Sequence, residues 1–248
     1  NNFGIRKRLL EYDDVMNVQR ENIYKRRKHA LEGNRLKVDI ANMIYDTTEI
    51  IVENNKISNS YKDYEFDVIR CFSLSSPFSQ EDFEKTESEE VVYKTYKSAY
   101  EHYNSKMKIS AEKVFPVIKN VYENQSNNFE RIVVPFTDGK KTLNVVSNLK
   151  LAYESKGETL INDFEKNISL AIIDESWKNH LRKMDELKQS VQLAVHEQKD
   201  PLVIYKFEAF KLFQTTLNEI NKEIISFLFK GELPSKDPSE IREDRKER

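Results

Sequence analysis

Histidines, a pair of aspartates and a glycine-lysine run are the residues of this sequence whose types suit chemistry. The four histidines, His29, His102, His180 and His196, are scattered along the chain and form no His-Glu-x-x-His motif, so their spacing does not favour a metal site. His180 stands beside Leu181 in a row of apolar residues at helical spacing. We therefore predict that His180 is a hydrogen-bonded helix-packing residue.

Asp13 and Asp14 resemble a pair of catalytic carboxylates, but they lie within an amphipathic pattern typical of a helix. Adjacent helical side chains point about 100° apart, so these carboxylates do not converge on one substrate. The run Gly139-Lys140-Lys141-Thr142 lacks the earlier glycine of a phosphate-binding loop. No serine or cysteine lies in a Gly-x-Ser-x-Gly turn either. The sequence by itself does not indicate an enzyme, a bound cofactor or a metal.

Composition favours a mainly α-helical protein. Charged residues make up 33% of the 248 residues, whereas glycine and proline number only 5 and 6, which suits long solvated helices. The 40 Lys and Arg nearly balance the 42 Asp and Glu, so a dedicated nucleic-acid binder is not expected.

The single cysteine, Cys71, excludes a disulfide framework and indicates a reducing compartment. No apolar run approaches the roughly 20 residues that a membrane-spanning helix needs. The first residues resemble no signal peptide and include no initiator methionine, which predicts a fragment of a larger protein.

A long helix is predicted from Ile5 to Leu31, because this stretch contains no glycine or proline and has an apolar row at helical spacing. The row is Ile5, Leu9, Tyr12, Met16 and Ile23, with Gln19 as its one polar member. The basic run 25–28 suits the negative end of the helix dipole, and an acidic partner remains an alternative explanation for it.

Two further long helices are predicted between 170 and 230, joined by a short polar turn. Their apolar rows are Leu170, Ile173, Trp177, Leu181, Met184, Leu187 and Val191, then Val203, Phe207, Phe210, Phe213, Leu217, Ile220, Ile224 and Phe227 or Leu228. Asp200 is a suitable N-cap and Pro201 a suitable first helical residue. The short turn requires an antiparallel pair, and its base is expected to pack on the helix 5–31.

The middle of the chain is predicted to contain helices at about 35–54, 61–70, 80–108 and 110–125, followed by one small β-hairpin at about 131–146. The hairpin prediction rests on two β-prone runs that flank Asp138-Gly139. Helix resumes after Ser147, interrupted only by Gly157. The tyrosines 93, 96, 100 and 103 form a row best explained as helix packing.

Two motifs occur in this order along the chain. The first is FGIRKRLLEYDDVMNVQR at 3–20, followed by Ile23-Tyr24. The second comprises SWKNHL at 176–181, MDEL at 184–187, EQKDP at 197–201 and YKFE at 205–208. Together they resemble the SecA family, the ATPases that drive preproteins through the bacterial SecY channel.

The resemblance implies a mainly α-helical fold with four segments. These are the first scaffold helix at 1–33, a helical wing at 34–168, the second scaffold part with a two-helix finger at 169–231, and a disordered charged tail at 232–248. Trp177, Leu181, Met184, Leu187, Asp200, Pro201 and Phe210 would hold the finger rigid. ATP and magnesium would bind only to motor domains upstream of this chain.

The resemblance further implies that the finger couples the ATP motor to preprotein movement. Its tip would comprise Ala194, Val195, His196, Glu197, Gln198 and Lys199 and would contact the SecY channel and the unfolded preprotein. The family usually has a bulky aromatic residue where this chain has His196. The imidazole is smaller than a phenol ring and titrates near neutral pH.

The implied partners are the SecY channel complex, the preprotein and the parent's own motor domains, with no nucleic acid. Anionic membrane lipids and a second copy of the chain remain open as partners. The implied location is cytoplasmic, peripheral at the inner face of the bacterial plasma membrane. An alternative function is a helical scaffold or adaptor that binds a coiled coil or an acidic partner.

Overall fold

A computed structural model describes residues 2–33, 35–125, 129–193, 200–233 and 242–245. The fold is mainly α-helical, as predicted, with one small antiparallel sheet. The helices are α1 (Asn2–Glu32), α2 (Leu36–Ile57), α3 (Tyr61–Phe72), α4 (Gln80–Lys85), α5 (Ser88–Gln125), α6 (Leu149–Glu154), α7 (Glu158–Leu193) and α8 (Pro201–Lys230). The strands are β1 (Phe129–Thr137), β2 (Thr142–Asn148) and β3 (Arg242–Arg245).

The chain divides into two compact units. Unit 1 comprises residues 1–34 and 169–220, and unit 2 comprises residues 35–168 and 221–248. Unit 1 therefore contains α1, most of α7 and the first two thirds of α8. Unit 2 contains the other helices, the sheet, the start of α7 and the end of α8.

Unit 2 is organised around an aromatic core. Phe229 near the end of α8 has its ring centroid 5.3 Å from that of Phe72 and 5.4 Å from that of Tyr103. Phe136 of β1 stacks on Phe164 of α7 at 4.2 Å. These rings are almost completely buried, and aromatic side chains of this size dominate the apolar surface that a core removes from water.

The predicted β-hairpin is present, and strand β1 pairs with β2 from Arg131↔Asn148 to Thr137↔Thr142. The Asp138 side chain holds the turn, since its Oδ1 accepts the backbone N–H groups of Lys140 at 2.8 Å and Lys141 at 2.7 Å. Burial opposes ionisation of this carboxyl, but these backbone donors outweigh it and lower its pKa. Gly139 supplies the positive φ of +86° that the turn requires.

Pro135 lies in the middle of β1 without breaking the hairpin. The backbone N–H and C=O of Thr137 point away from β2, because both are bonded to Glu232 at 2.9 Å. Peptide groups alternate in direction along a strand, so the position of Pro135 also faces away from β2. The N–H that proline lacks would therefore face the gap between the pairing with β3, which ends at Val133, and the bridge from Thr137 to Glu232, so its loss removes none of the described ladder bonds.

The structure differs from the sequence prediction at three places in unit 2. The helix predicted at 80–108 is interrupted at Thr86-Glu87, between α4 and α5. Helix α5 is continuous from Ser88 to Gln125, although a break near 109 was predicted, and it contains Pro116. One face of α5 is buried on both sides of the expected break, at Tyr103, Met107, Ala111 and Val114, so tertiary packing supports a single helix. Residues 242–245 of the tail, predicted to be disordered, pair their backbone with β1.

Candidate functional site

The hairpin formed by α7 and α8 packs on α1 within unit 1, as the sequence predicted. Contacts between α1 and α7 join Tyr12 to Lys188 and Gln19 to His180. A third contact joins Arg27 to Asp174, with Nε and Oδ1 2.9 Å apart. Residue numbers rise on α1 as they fall on α7, so the two helices are antiparallel and stay in register over about four turns.

Helix α8 completes this three-helix bundle. The Tyr12 and Tyr205 rings lie 4.7 Å apart, and Gln19 Nε2 donates to the carbonyl of Ala209 at 3.1 Å. Numbers rise together on these two helices, so α8 runs parallel to α1 and antiparallel to α7. Tyr12, Met184, Val191, Tyr205 and Ala209 form one buried cluster at this seam. Burial, reinforced by Asp13 and Asp185, raises the pKa of Tyr205 to about 12.

A hydrogen-bonded network of three polar side chains interrupts the apolar seam. Gln19 Oε1 lies 2.8 Å from His180 Nε2, and His180 Nδ1 lies 3.0 Å from Thr216 Oγ1. The relative exposure of all three residues is 5% or less. Each comes from a different helix, so the network joins α1, α7 and α8 at one level. This confirms that His180 is a hydrogen-bonded packing residue.

The network fixes the protonation state and tautomer of His180. Because the Ala209 carbonyl can only accept, the Gln19 amide nitrogen faces it and Gln19 Oε1 faces the imidazole. His180 Nε2 therefore carries the hydrogen of the neutral imidazole, which leaves Nδ1 as an acceptor. The single hydroxyl hydrogen of Thr216 has two acceptors in reach, Nδ1 at 3.0 Å and the Leu212 carbonyl at 2.9 Å. Burial, reinforced by the cation of Lys183, lowers the pKa of His180 to about 4. The imidazole is neutral at physiological pH, which argues against a role as a proton carrier there.

A groove of about 420 Å³ lies on unit 1 beside this seam. Its lining combines the carboxylates of Asp13 and Asp185 with the cations of Arg20 and Lys188, around Met16, Asn17, Leu181, Met184 and Tyr205. Two carboxylates and two cations line the groove, so it favours no single charge of ligand. In the described part of the chain, no group of three or more His, Cys, Asp or Glu side chains is arranged to hold a metal ion.

The start of α8 corrects part of the predicted apolar row. Val203, Phe207 and Phe210 are 64%, 58% and 61% exposed, whereas Tyr205 and Ala209 are buried. Residues two positions apart on a helix point roughly 200° apart, so the buried pair occupies the face opposite the exposed stripe. Phe210 therefore does not hold the hairpin together by packing in its seam, contrary to the prediction for this residue.

The predicted start of α8 is present. Pro201 is the first helical residue, and Asp200 Oδ1 accepts the backbone N–H of Leu202 at 3.0 Å. Trp177, Leu181 and Leu187 are half-buried and Met184 is buried in the seam of α7. The predicted tip, Ala194 to Lys199 with His196, lies outside the described residues.

The basic run at the end of α1 is partly neutralised by neighbouring acids. Arg27 binds Asp174 through two nitrogen-oxygen contacts at 2.9 and 3.4 Å, and Lys28 lies 3.6 Å from Glu32. These pairs are exposed, so each contributes little stability, but they reduce the positive charge available to an external acidic partner. The structure therefore favours a role within the helix end for much of the basic run, rather than binding of an acidic partner.

Comparison with known proteins identifies the family. The sequence profile described as "SecA Wing and Scaffold domain" matches residues 1–232, which is nearly the whole chain. The chain belongs to the SecA wing and scaffold family. No helix in the described residues of this family member is both long enough and apolar enough to cross a lipid bilayer.

Curated relatives in the SecA family are similar over nearly all of this chain. The chain is 64% identical over 245 residues to the protein translocase subunit SecA of Christiangramia forsetii, and 66% identical over 234 residues to that of Flavobacterium psychrophilum. These matches cover 99% and 94% of the chain. The subunit from Bacteroides fragilis is 46% identical over 244 residues. The chain spans about a fifth of the length of these relatives, 21–22%.

Sequence reasoning missed the role of Gln19 in this SecA-type scaffold. Its signal was present, because Gln19 was the one polar residue in the apolar row of α1. A buried glutamine needs partners for both ends of its amide, and His180 on α7 was already predicted to be a hydrogen-bonded helix-packing residue. Joining the two predictions required the register of α1 against α7, which only the structure supplies.

Proposed function

We propose that this chain is the scaffold, wing and two-helix finger of a SecA-type protein translocase, and that it transmits force without carrying out the ATPase chemistry. The observation that supports this most is the bracing of the α7–α8 hairpin along α1. Side-chain contacts run from Tyr12–Lys188 through Gln19–His180 to Arg27–Asp174, and α8 joins them through Tyr205 and Ala209. A hairpin braced over several turns can transmit displacement along its length.

The finger tip is the proposed contact with the moving polypeptide. Its residues, Ala194 to Lys199, connect the two helices of the hairpin, and Asp200 and Pro201 start the second helix beyond them. We propose that His196 takes the place of the aromatic residue that this family usually has at the tip. An imidazole presents a smaller ring than a phenol, so its grip on the polypeptide depends more on hydrogen bonding than on apolar contact.

The partners in this proposal are the SecY channel complex, the unfolded preprotein and motor domains elsewhere in the longer protein. Those motor domains would bind ATP and magnesium, and the assembly would act at the inner face of the bacterial plasma membrane. Anionic lipids and a second copy of the chain are further candidate partners. The relatives' name, protein translocase subunit SecA, supports the translocation part of this proposal.

Photo-crosslinking in the full-length parent protein tests the tip assignment. A photoreactive amino acid is placed at position 196, and a preprotein is stalled in the channel by a folded domain at its end. We expect crosslinks to the channel or to the preprotein that require ATP. The matched control is Ile57, which is exposed on α2 of unit 2 and should crosslink to neither in an ATP-dependent manner.

The outcomes separate the tip assignment from the broader function. Translocation by the parent with no crosslink from position 196 would overturn the role of the tip and leave the translocase function standing. The isolated 248-residue chain should neither bind nor hydrolyse ATP. ATP turnover that survives further purification of that chain would contradict the proposal that it is the non-catalytic part.

A further inference from the structure

We propose that Gln19, His180 and Thr216 form a register lock, which fixes the axial positions of α1, α7 and α8 against one another. The network has one member on each helix and occupies a single level of the seam. The neighbouring seam residues are apolar, with the Tyr12, Met184 and Tyr205 cluster on one side and Ile23, Ile173 and Phe213 also buried. The polar layer is therefore the part of the seam that discriminates between alignments.

Apolar contacts alone define the alignment of these helices weakly. Methionine, leucine, isoleucine and valine side chains pack against many apolar neighbours, and a helix displaced by one turn moves only about 5.4 Å. The hydrogen bonds of the network, in contrast, depend on the axial position of each helix. Gln19 Nε2 donates to the Ala209 carbonyl at 3.1 Å while Gln19 Oε1 lies 2.8 Å from His180 Nε2, so the two bonds of one amide form only when both other helices are correctly placed.

The third member closes the network onto α8. Thr216 Oγ1 lies 3.0 Å from His180 Nδ1 and 2.9 Å from the carbonyl of Leu212, one turn earlier on its own helix. His180 therefore has a partner on both ring nitrogens, one on α1 and one on α8. Displacing any one helix by a turn would leave the buried imidazole and the buried amide each short of at least one partner, which proteins avoid.

In this proposal His180 is a positioning residue, because its main effect is on the alignment of the helices and not on the free energy of unfolding. Replacing a buried polar network by apolar residues of similar volume is often neutral or stabilising, because the polar groups no longer need to be desolvated. A register lock removed in this way should leave a stable bundle with more than one alignment. Buried polar residues at helix interfaces are known to specify register in coiled coils by the same mechanism.

Distance measurements between spin labels on the whole 248-residue chain test the lock. Cys71 is first replaced by Ala, and labelled cysteines are then placed at the exposed positions Leu10 on α1 and Asn218 on α8, which lie at different levels of the seam. A second pair joins Leu10 to Lys178 on α7. The parent network should give one narrow distance for each pair. The variant Gln19→Leu with His180→Leu and Thr216→Val should keep or raise the Tm and add a second distance, because sliding one helix by a turn moves it about 5.4 Å along the axis that separates the labels.

A milder pair of variants covers the case in which the triple variant does not fold. Thr216→Ser keeps the hydroxyl, whereas Thr216→Val keeps the shape and removes it. We expect narrow distances with serine and broadened distances with valine. Narrow, unchanged distances in the folded triple variant, or identical distributions for the serine and valine variants, would overturn the register lock. Because no translocation is measured, this result does not depend on the proposed function.

Discussion

Hydrogen-bonded polar side chains occupy the middle of the seam in unit 1, whereas aromatic rings fill the core of unit 2. Gln19, His180 and Thr216 join three helices in the first case, and Phe72, Tyr103 and Phe229 meet in the second. Burial of rings is non-directional and scales with area, so it supplies stability. Hydrogen bonds are directional and add less net stability, so they supply alignment. The two units therefore illustrate different ways of defining a helical structure.

The largest change in stability is expected when a core ring is removed from unit 2. Phe229→Ala should destabilise unit 2 by about 3 to 5 kcal/mol, because it deletes buried surface and leaves a cavity. Urea unfolding followed by hydrogen exchange in peptides of unit 2 measures this loss. The matched control is Phe66→Ala on α3, whose ring is largely exposed and whose removal should cost less than 1 kcal/mol. Equal losses in the two variants would mean that Phe229 is not a core anchor.

The effect of pH on stability should be intermediate in size, and the contributions of one buried group in each unit should change in opposite directions. The pKa of His180 is lowered to about 4 from 6.5, so its contribution to unit 1 is complete above pH 6.5 and falls as pH decreases towards 4. At about 1.4 kcal/mol per pKa unit, the loss reaches at most about 3 kcal/mol. Trp177, the single tryptophan, is 5.4 Å from the His180 ring and reports unfolding of unit 1 by fluorescence.

Unit 2 contains a buried carboxyl with the opposite response. Tyr103 donates to Glu165 Oε1 at 2.7 Å, and burial raises the pKa of Glu165 despite this hydrogen bond and the nearby Lys37. Its contribution is complete below the unfolded value of 4.5 and is lost as pH rises through the folded value. His180→Gln and Glu165→Gln should each flatten the pH dependence of their own unit. Parallel trends in the two units, unaffected by these variants, would contradict both assignments.

The smallest expected effect is that of the surface ion pairs, which should contribute similarly little to the stability of both units. Arg27–Asp174 in unit 1 and Lys141–Glu223 in unit 2 both have a nitrogen-oxygen distance of 2.9 Å and exposed side chains. Double-mutant cycles to alanine should give coupling free energies of about 0.2 to 1 kcal/mol for each pair. A coupling well above 2 kcal/mol for Arg27–Asp174 alone would show that surface charge, rather than the buried network, aligns unit 1.

The sequence by itself determined where the helices of unit 1 lie and which family they belong to. Apolar spacing predicted α1, and Asp200-Pro201 predicted the start of α8, because capping and the fixed φ of proline act within a few residues. His180 was predicted as a packing residue for the same local reason. In unit 2, Asp138-Gly139 placed the hairpin turn through equally local chemistry.

Only the tertiary structure decided which apolar face of α8 is buried and which side chains complete the network. The first turns of α8 have apolar residues on two faces, so periodicity alone could not choose Tyr205 and Ala209 over Phe207 and Phe210. That choice depends on how much surface each face buries against α1 and α7. The partner of Gln19 depends on the same alignment, because the two residues that it bonds are 161 and 190 positions away along the chain.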